Sequence, residues 1–179
     1  MVDQPTALRR LAHRLAIINL WSKVRPVQER LPWHTVVAAS LAGGATIAIL
    51  GASTDLFHAP LLVAAFGSSC VLVFLLPDAP LSQPANVIGG HFIAAVAGLT
   101  VHAILPVAWW SIGIAVAAAM AAMAALRVVH PPAGGTPIAI MLTHEGWGYL
   151  FTPVLAGAVI LTLCALTYKY MLGRTSSRS

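Results

Sequence analysis

Residues 127–143 read RVVHPPAGGTPIAIMLT and lie inside the most apolar part of a 179-residue chain. Proline has no N–H and disfavours the α conformation in the residue before it. His130 and Pro131 should therefore both leave the helix, and the apolar run ahead of them should end near Val129. A new short helix can start over Ala133 to Thr136, where Gly134 and Gly135 leave its amide groups uncovered. The apolar piece beyond the prolines, 133–143, reaches only about 16 Å at 1.5 Å per residue. That is too short for a hydrocarbon core of ~30 Å. Whatever this chain is, one of its apolar segments is broken.

Working outward, four apolar stretches are long enough to span: 33–51, 86–106, 107–129 and 149–172. Trp33, Trp109, Trp110, Trp147, Tyr149, Tyr168 and Tyr170 sit at their ends, where aromatic belts belong. A second broken piece, 61–76, is bounded by Pro60 and Pro77 and interrupted by Gly67-Ser68-Ser69; it reaches about 24 Å. Two re-entrant pieces give four crossings, and two half-helices that together count as two give six. Both counts are even, and five is disfavoured. The expected fold is an all-α polytopic membrane helix bundle with four full spans and two short Pro/Gly-broken segments. His58-Ala59-Pro60 and His130-Pro131-Pro132 fall at corresponding places in the two halves, a layout compatible with an internal two-fold repeat. Interrupted segments so placed point to binding sites in transporters.

Composition agrees. Hydrophobic residues make up 59% of the chain, charged ones 8%, and mean hydropathy is +0.85. A soluble domain carries about a quarter charged residues, so a water-soluble globule is excluded. Residues 1–30 hold six basic and two acidic side chains, and 169–179 hold three basic ones. Asp55, Asp78, Arg127 and Glu145 are the charges between them. Basic residues spread over one face, as nucleic acid requires, are missing. Two basic tails instead place both termini in the cytoplasm, and a bacterial inner membrane is the expected location. Residues 1–32 read as a basic interfacial segment, 33–172 as the transmembrane domain and 173–179 as a basic tail. Within the first, Leu8, Leu11, Leu15, Ile18 and Trp21 recur at helical spacing beside Arg9, Arg10 and Arg14, as in a helix lying on an anionic surface. Asp3 and the scarcity of Ser argue against a transit peptide, and no secretory signal core follows. Cys70 and Cys164 lack ligand spacing and read as small core residues.

The chemistry concentrates in two places. In the first, His130 and Arg127 stand one turn before a helix start at Gly134, Gly135 and Thr136, with Pro131 and Pro132 forming the break. Free amides and the helix dipole bind anions there; His130 adds a donor and Arg127 a fixed charge. A lone Arg at a helix end also snorkels to the interface. In the second, PLSQPANVIGGH (80–91), Ser82 or Asn86 can cap the next helix, and Gly89-Gly90 opens space beside His91. His102 lies three turns on and shares a face with His91; at about 16 Å apart the two cannot hold one metal. Buried histidines bonded to backbone are an equal alternative. Gly90, Ala94 and Gly98 recur every four residues, a small-residue face for close helix packing. Ser68 and Ser69 at the first break complete the candidate substrate-binding set. No nucleophile elbow or HExxH occurs, and no metal, cofactor or enzymatic activity is expected. The absence of a carboxylate within the apolar stretches argues against a cation path.

PLSQPANVIGGH and RVVHPPAGGTPIA (127–139), in that order, resemble the two signature segments of the HPP family of small integral membrane proteins. The resemblance covers roughly residues 33–171. Ala85 stands where a bulkier or basic residue is expected, and Pro137 where a small one is commoner. The resemblance implies a four-span fold, and some plant and cyanobacterial members are implicated in nitrite transport. The expected partners are the lipid bilayer, a small anion and further copies of the chain, with no nucleic acid. Passage of a small monovalent anion, nitrite or nitrate first, is the expected function. The rival is a non-transporting membrane scaffold that binds another membrane protein through its small-residue faces.

Overall fold

In the computed structural model of the chain the described residues are 28–57 and 61–176. The expected surface helix over 6–22, the His58-Ala59-Pro60 corner and residues 177–179 lie outside them. The chain divides at Pro32/Trp33, and the second unit carries every helix described below. In order these are α1 (Trp33–Phe57), α2 (Ala65–Leu75), α3 (Pro84–Ile104), α4 (Trp109–Ala125), α5 (Thr136–Thr143) and α6 (Ala156–Ser176). Short 3-10 turns occupy Pro80–Ser82, Pro131–Gly135 and Trp147–Leu150. No strand occurs among the described residues. Three stretches are long and apolar enough to cross a membrane: Trp33–Ser53, Pro84–Ile104 and Trp147–Leu172. Trp33 and Trp109, at helix ends, are 77% and 87% exposed, as an aromatic belt requires.

Two elements differ from expectation. The run over 107–129 yields a 17-residue α4 that stops at Ala125, four residues before the expected end. The prolines do not end it. Arg127 does, by adopting a left-handed φ of 58°. Its N–H then donates to the Ala124 carbonyl at 3.2 Å and that of Val128 to Met123 at 3.0 Å, the paired bonds of a Schellman close. The last span also starts irregularly. After the Trp147–Leu150 turn the chain winds through Phe151–Leu155, where Thr152 is extended (φ −136°, ψ 116°), before α6 begins.

Packing gives the helices a common register. Gly43 of α1 meets Cys70 and Phe74 of α2, and Gly51 meets Leu62, so these two segments run antiparallel. Phe74 stacks edge-on against Tyr168 of α6 with ring centroids 5.4 Å apart, so Tyr168 is buried in the core and not part of the aromatic belt expected for it. Just beyond, Lys169 pairs with Asp78 at 3.0 Å. The start of α1, the end of α2 and the last turns of α6 therefore share one end of the bundle. A buried cluster including Leu50, Phe66, Phe74, Val154 and Leu161 joins α1, α2, α3 and α6. Cys70 is buried and Cys164 half-buried, both as free thiols.

The segment after Arg127 lies along the full length of α3. Val129 stands beside Asn86, His130 beside Gly90, Pro137 against Gly98, and His144 against His102. The small-residue face of α3 is the groove that receives it. A Cβ added to Gly90 would sit 2.6 Å from His130 Cβ, and one added to Gly98 2.9 Å from Pro137 Cα. Ala94, between them, packs with Ala133.

Candidate functional site

The two broken segments meet. Ser69 of α2, His91 of α3, His130 of the break and Thr136 at the start of α5 are each 0% exposed, and they touch in a line. His130 Nδ1 lies 2.9 Å from the Leu81 carbonyl, and His130 Nε2 lies 2.9 Å from Ser69 Oγ. Ser69 Oγ lies 2.9 Å from His91 Nε2, and His91 Nδ1 lies 3.1 Å from Thr136 Oγ1. The rings of His91 and His130 have centroids 5.2 Å apart. Phe66 closes the other side of His91, edge-on at 4.9 Å.

Elementary donor counting fixes the direction of this chain when both rings are neutral. A carbonyl only accepts, so His130 carries its proton on Nδ1 and donates to Leu81. His130 Nε2 is then an acceptor, and the single hydroxyl proton of Ser69 goes to it. Ser69 has nothing left to donate, so His91 donates to it through Nε2–H. His91 Nδ1 must then accept, and the Thr136 hydroxyl supplies that bond. Four side chains and one carbonyl satisfy one another, which a dry interior demands.

Local sequence explains the placement. The Pro131–Gly135 turn lets Ala133 N–H donate to the His130 carbonyl at 2.9 Å and delivers Thr136 to His91. Asn86 does not cap α3; its side-chain amide donates to the Val129 carbonyl at 2.9 Å and anchors the incoming strand of chain. Gly89 and Gly90 open the space that Val128 and His130 fill. Gly135 packs on Ala65, while Gly134 faces open space.

Not every residue singled out from sequence joins this cluster. Arg127 is exposed, turned away by its left-handed backbone, and makes no hydrogen bond to His130. Ser68 is exposed and donates to the Ala65 carbonyl of its own helix at 2.9 Å. Ser82 is not a cap either, donating to the Leu76 carbonyl at 2.7 Å. His102 does share a face with His91, and it stacks on His144 with centroids 5.6 Å apart. Sequence reading missed the Leu81 carbonyl, Phe66 and His144. Leu81 lies within the quoted 80–91 stretch, but a backbone oxygen leaves no residue-type signal. No group of three or more His, Cys, Asp or Glu that could hold a metal occurs among the described residues.

A helix bundle with apolar spans and a buried polar cluster at two broken segments defines the class: an integral membrane protein. The model of the HPP transmembrane region matches residues 28–177, and the chain belongs to that family. It is 34% identical over 115 residues to one transmembrane protein of Dictyostelium discoideum, covering 59% of this chain and 40% of that protein. It is 32% identical over 113 residues to a second, covering 59% and 36%. The matched region thus spans well under half the length of these relatives. No solved structure matches.

Proposed function

We propose that the protein passes a small monovalent anion, nitrite or nitrate first, across a bacterial inner membrane. One observation carries this reading: four polar side chains from four separate segments converge, fully buried, where two broken segments meet. Polar groups at membrane depth are expensive and concentrate at functional paths, and irregular backbone is tolerated there only inside protein or beside water. The chemistry favours anions. The cluster's imidazole and hydroxyl donors, paired with one another at rest, would turn to an anion at the start of α5. Among the described residues Glu29, Asp78 and Glu145 lie outside the helices, with Asp55 in the last turn of α1. Arg127, exposed at the end of α4, draws anions toward the mouth rather than binding them at the cluster.

In this reading both broken segments cross the membrane, giving six passes. The register of 128–144 along all of α3, and of 61–78 down to the Lys169–Asp78 pair, supports that count. The basic tails then place both ends in the cytoplasm. The rival scaffold draws on one feature, the complete filling of the cluster. Uptake into proteoliposomes over a panel of nitrite, nitrate, formate and chloride separates the two. Entry of one of these above protein-free vesicles, reduced about tenfold in Thr136→Val, is the expected result. No entry of any would leave the scaffold.

A further inference from the structure

We propose that the Ser69-bridged pair of His91 and His130 binds one proton, and only one, so that anion passage is coupled to that proton. The coupling rests on the anion reading above; the proton site does not. The neutral chain has a second arrangement within reach. Ser69 Oγ also lies 3.2 Å from the Ala65 carbonyl, one helical turn back. When a proton arrives from water and bonds to the lone pair of His130 Nε2, the Ser69 hydroxyl rotates to that carbonyl. Ser69 oxygen then accepts from both His91 Nε2–H and His130 Nε2–H, filling its two lone pairs. The Leu81 bond is untouched. No hydrogen bond is lost on protonation and one is gained, and the proton leaves by the reverse rotation.

A second proton has no such place. It would go to His91 Nδ1, where Thr136 now donates, and would set two cations at the 5.2 Å ring spacing in a dry interior. Nothing around the pair offers compensation. The titratable group facing each ring is the other ring. From α2 come Ser69 and Phe66, from α5 Thr136, and from the turn before α3 the Leu81 carbonyl, all uncharged. Cys70, next along α2, faces Gly43 of α1. Toward α4 the break packs on Ala119 and Met123; α6 meets Phe66 through Gly157. Lys169 and Asp78 neutralise each other at the bundle end. The proton therefore sits on His130, since a cation on His91 would leave His130 Nδ1 facing the Leu81 carbonyl acceptor to acceptor, and His91 senses it through the shared Ser69 oxygen.

The test uses the purified full chain labelled with 15N-histidine, followed by NMR from about pH 4 to 9, and the same protein in vesicles loaded with a pH dye. Both buried rings should respond at one shared midpoint with one proton taken up in total. Ser69→Ala should separate their responses and weaken proton binding about tenfold, one pH unit. In vesicles, an inward potassium nitrate gradient should carry nitrate and protons in together, one for one, with or without valinomycin, and His130→Gln should cut the proton signal at least about tenfold. Two independent midpoints, or rings that stay neutral until the protein unfolds, would overturn the proposal. Nitrate entry without protons and without ring titration overturns the coupling and leaves the anion reading. A shared single proton with no anion entry overturns the anion reading and leaves the proton site.

Discussion

Two histidine pairs join α3 to the segment that follows Arg127, and their ring geometry is nearly the same. His91 and His130 have centroids 5.2 Å apart at 60°, and His102 and His144 5.6 Å apart at 62°. Their surroundings differ completely. The first pair is sealed, with every ring nitrogen bonded to a named partner. The second stands at the far end of the same groove, His102 half-buried and His144 exposed, where water serves as well as protein. Ring proximity alone therefore says little about function. Burial decides what each nitrogen must do, because an unpaired nitrogen in the interior is penalised and one in water is not.

The difference yields a graded set of expectations, read as thermal or denaturant unfolding of purified variants. The largest effect belongs to Gly90→Ala, whose new methyl meets both His130 Cβ and the Val128 carbonyl. Overpacking against backbone should remove about 3 kcal/mol or more, and a folded variant of normal stability would mean that the groove yields to the extra methyl. Next, His130→Ala should cost about 2 kcal/mol by emptying a buried site and stranding the Leu81 carbonyl. His102→Ala should stay within about 0.5 kcal/mol. Equal losses at the two pairs would break the comparison outright. Asn86→Ala, which frees the Val129 carbonyl at the edge of the sealed region, should fall between them at about 1 kcal/mol. One effect has the opposite sign. Arg127 and His144 both hold left-handed backbone, which costs a non-glycine residue roughly 1 kcal/mol. Arg127→Gly should thus unfold slightly later than the parent, and a clear loss would show that its side chain holds the turn.

Much of this was legible in the sequence because proline and glycine act locally. Pro131-Pro132 and Gly134-Gly135 mark the second break whatever surrounds them, and the Gly90, Ala94, Gly98 repeat marks a close contact. His91, His130, Ser69 and Thr136 were each nameable as polar residues in apolar company. Irregular backbone at both breaks also implies that Gly67–Ser69 and Gly134–Thr136 lie together, but which atoms pair is not legible, since Ser69 and His130 are sixty-one positions apart and only the fold aligns them. The end of α4 was misjudged for a related reason. An arginine carries no signature of left-handed backbone, so the prolines four and five residues beyond draw the boundary too far. Gly157, which admits Phe66 and the Leu61 carbonyl, looked like any other small residue in an apolar run.

The groove on α3 also bears on how the protein is made. At eight residues, α5 cannot shield its own ends from lipid, and a segment of its apolar length does not partition into a bilayer unaided. Its carbonyls and amides are accommodated only after α3 has presented Gly90, Ala94 and Gly98. Biogenesis therefore has an order: α3 and α4 enter as a hairpin, and the chain beyond Arg127 follows as a late guest on a finished surface. In the full chain, a cysteine placed at Thr136, which is 0% exposed in the folded protein, should be open to labelling when α3 carries Gly90→Val and protected when it does not. Equal protection in both would mean that the segment inserts on its own.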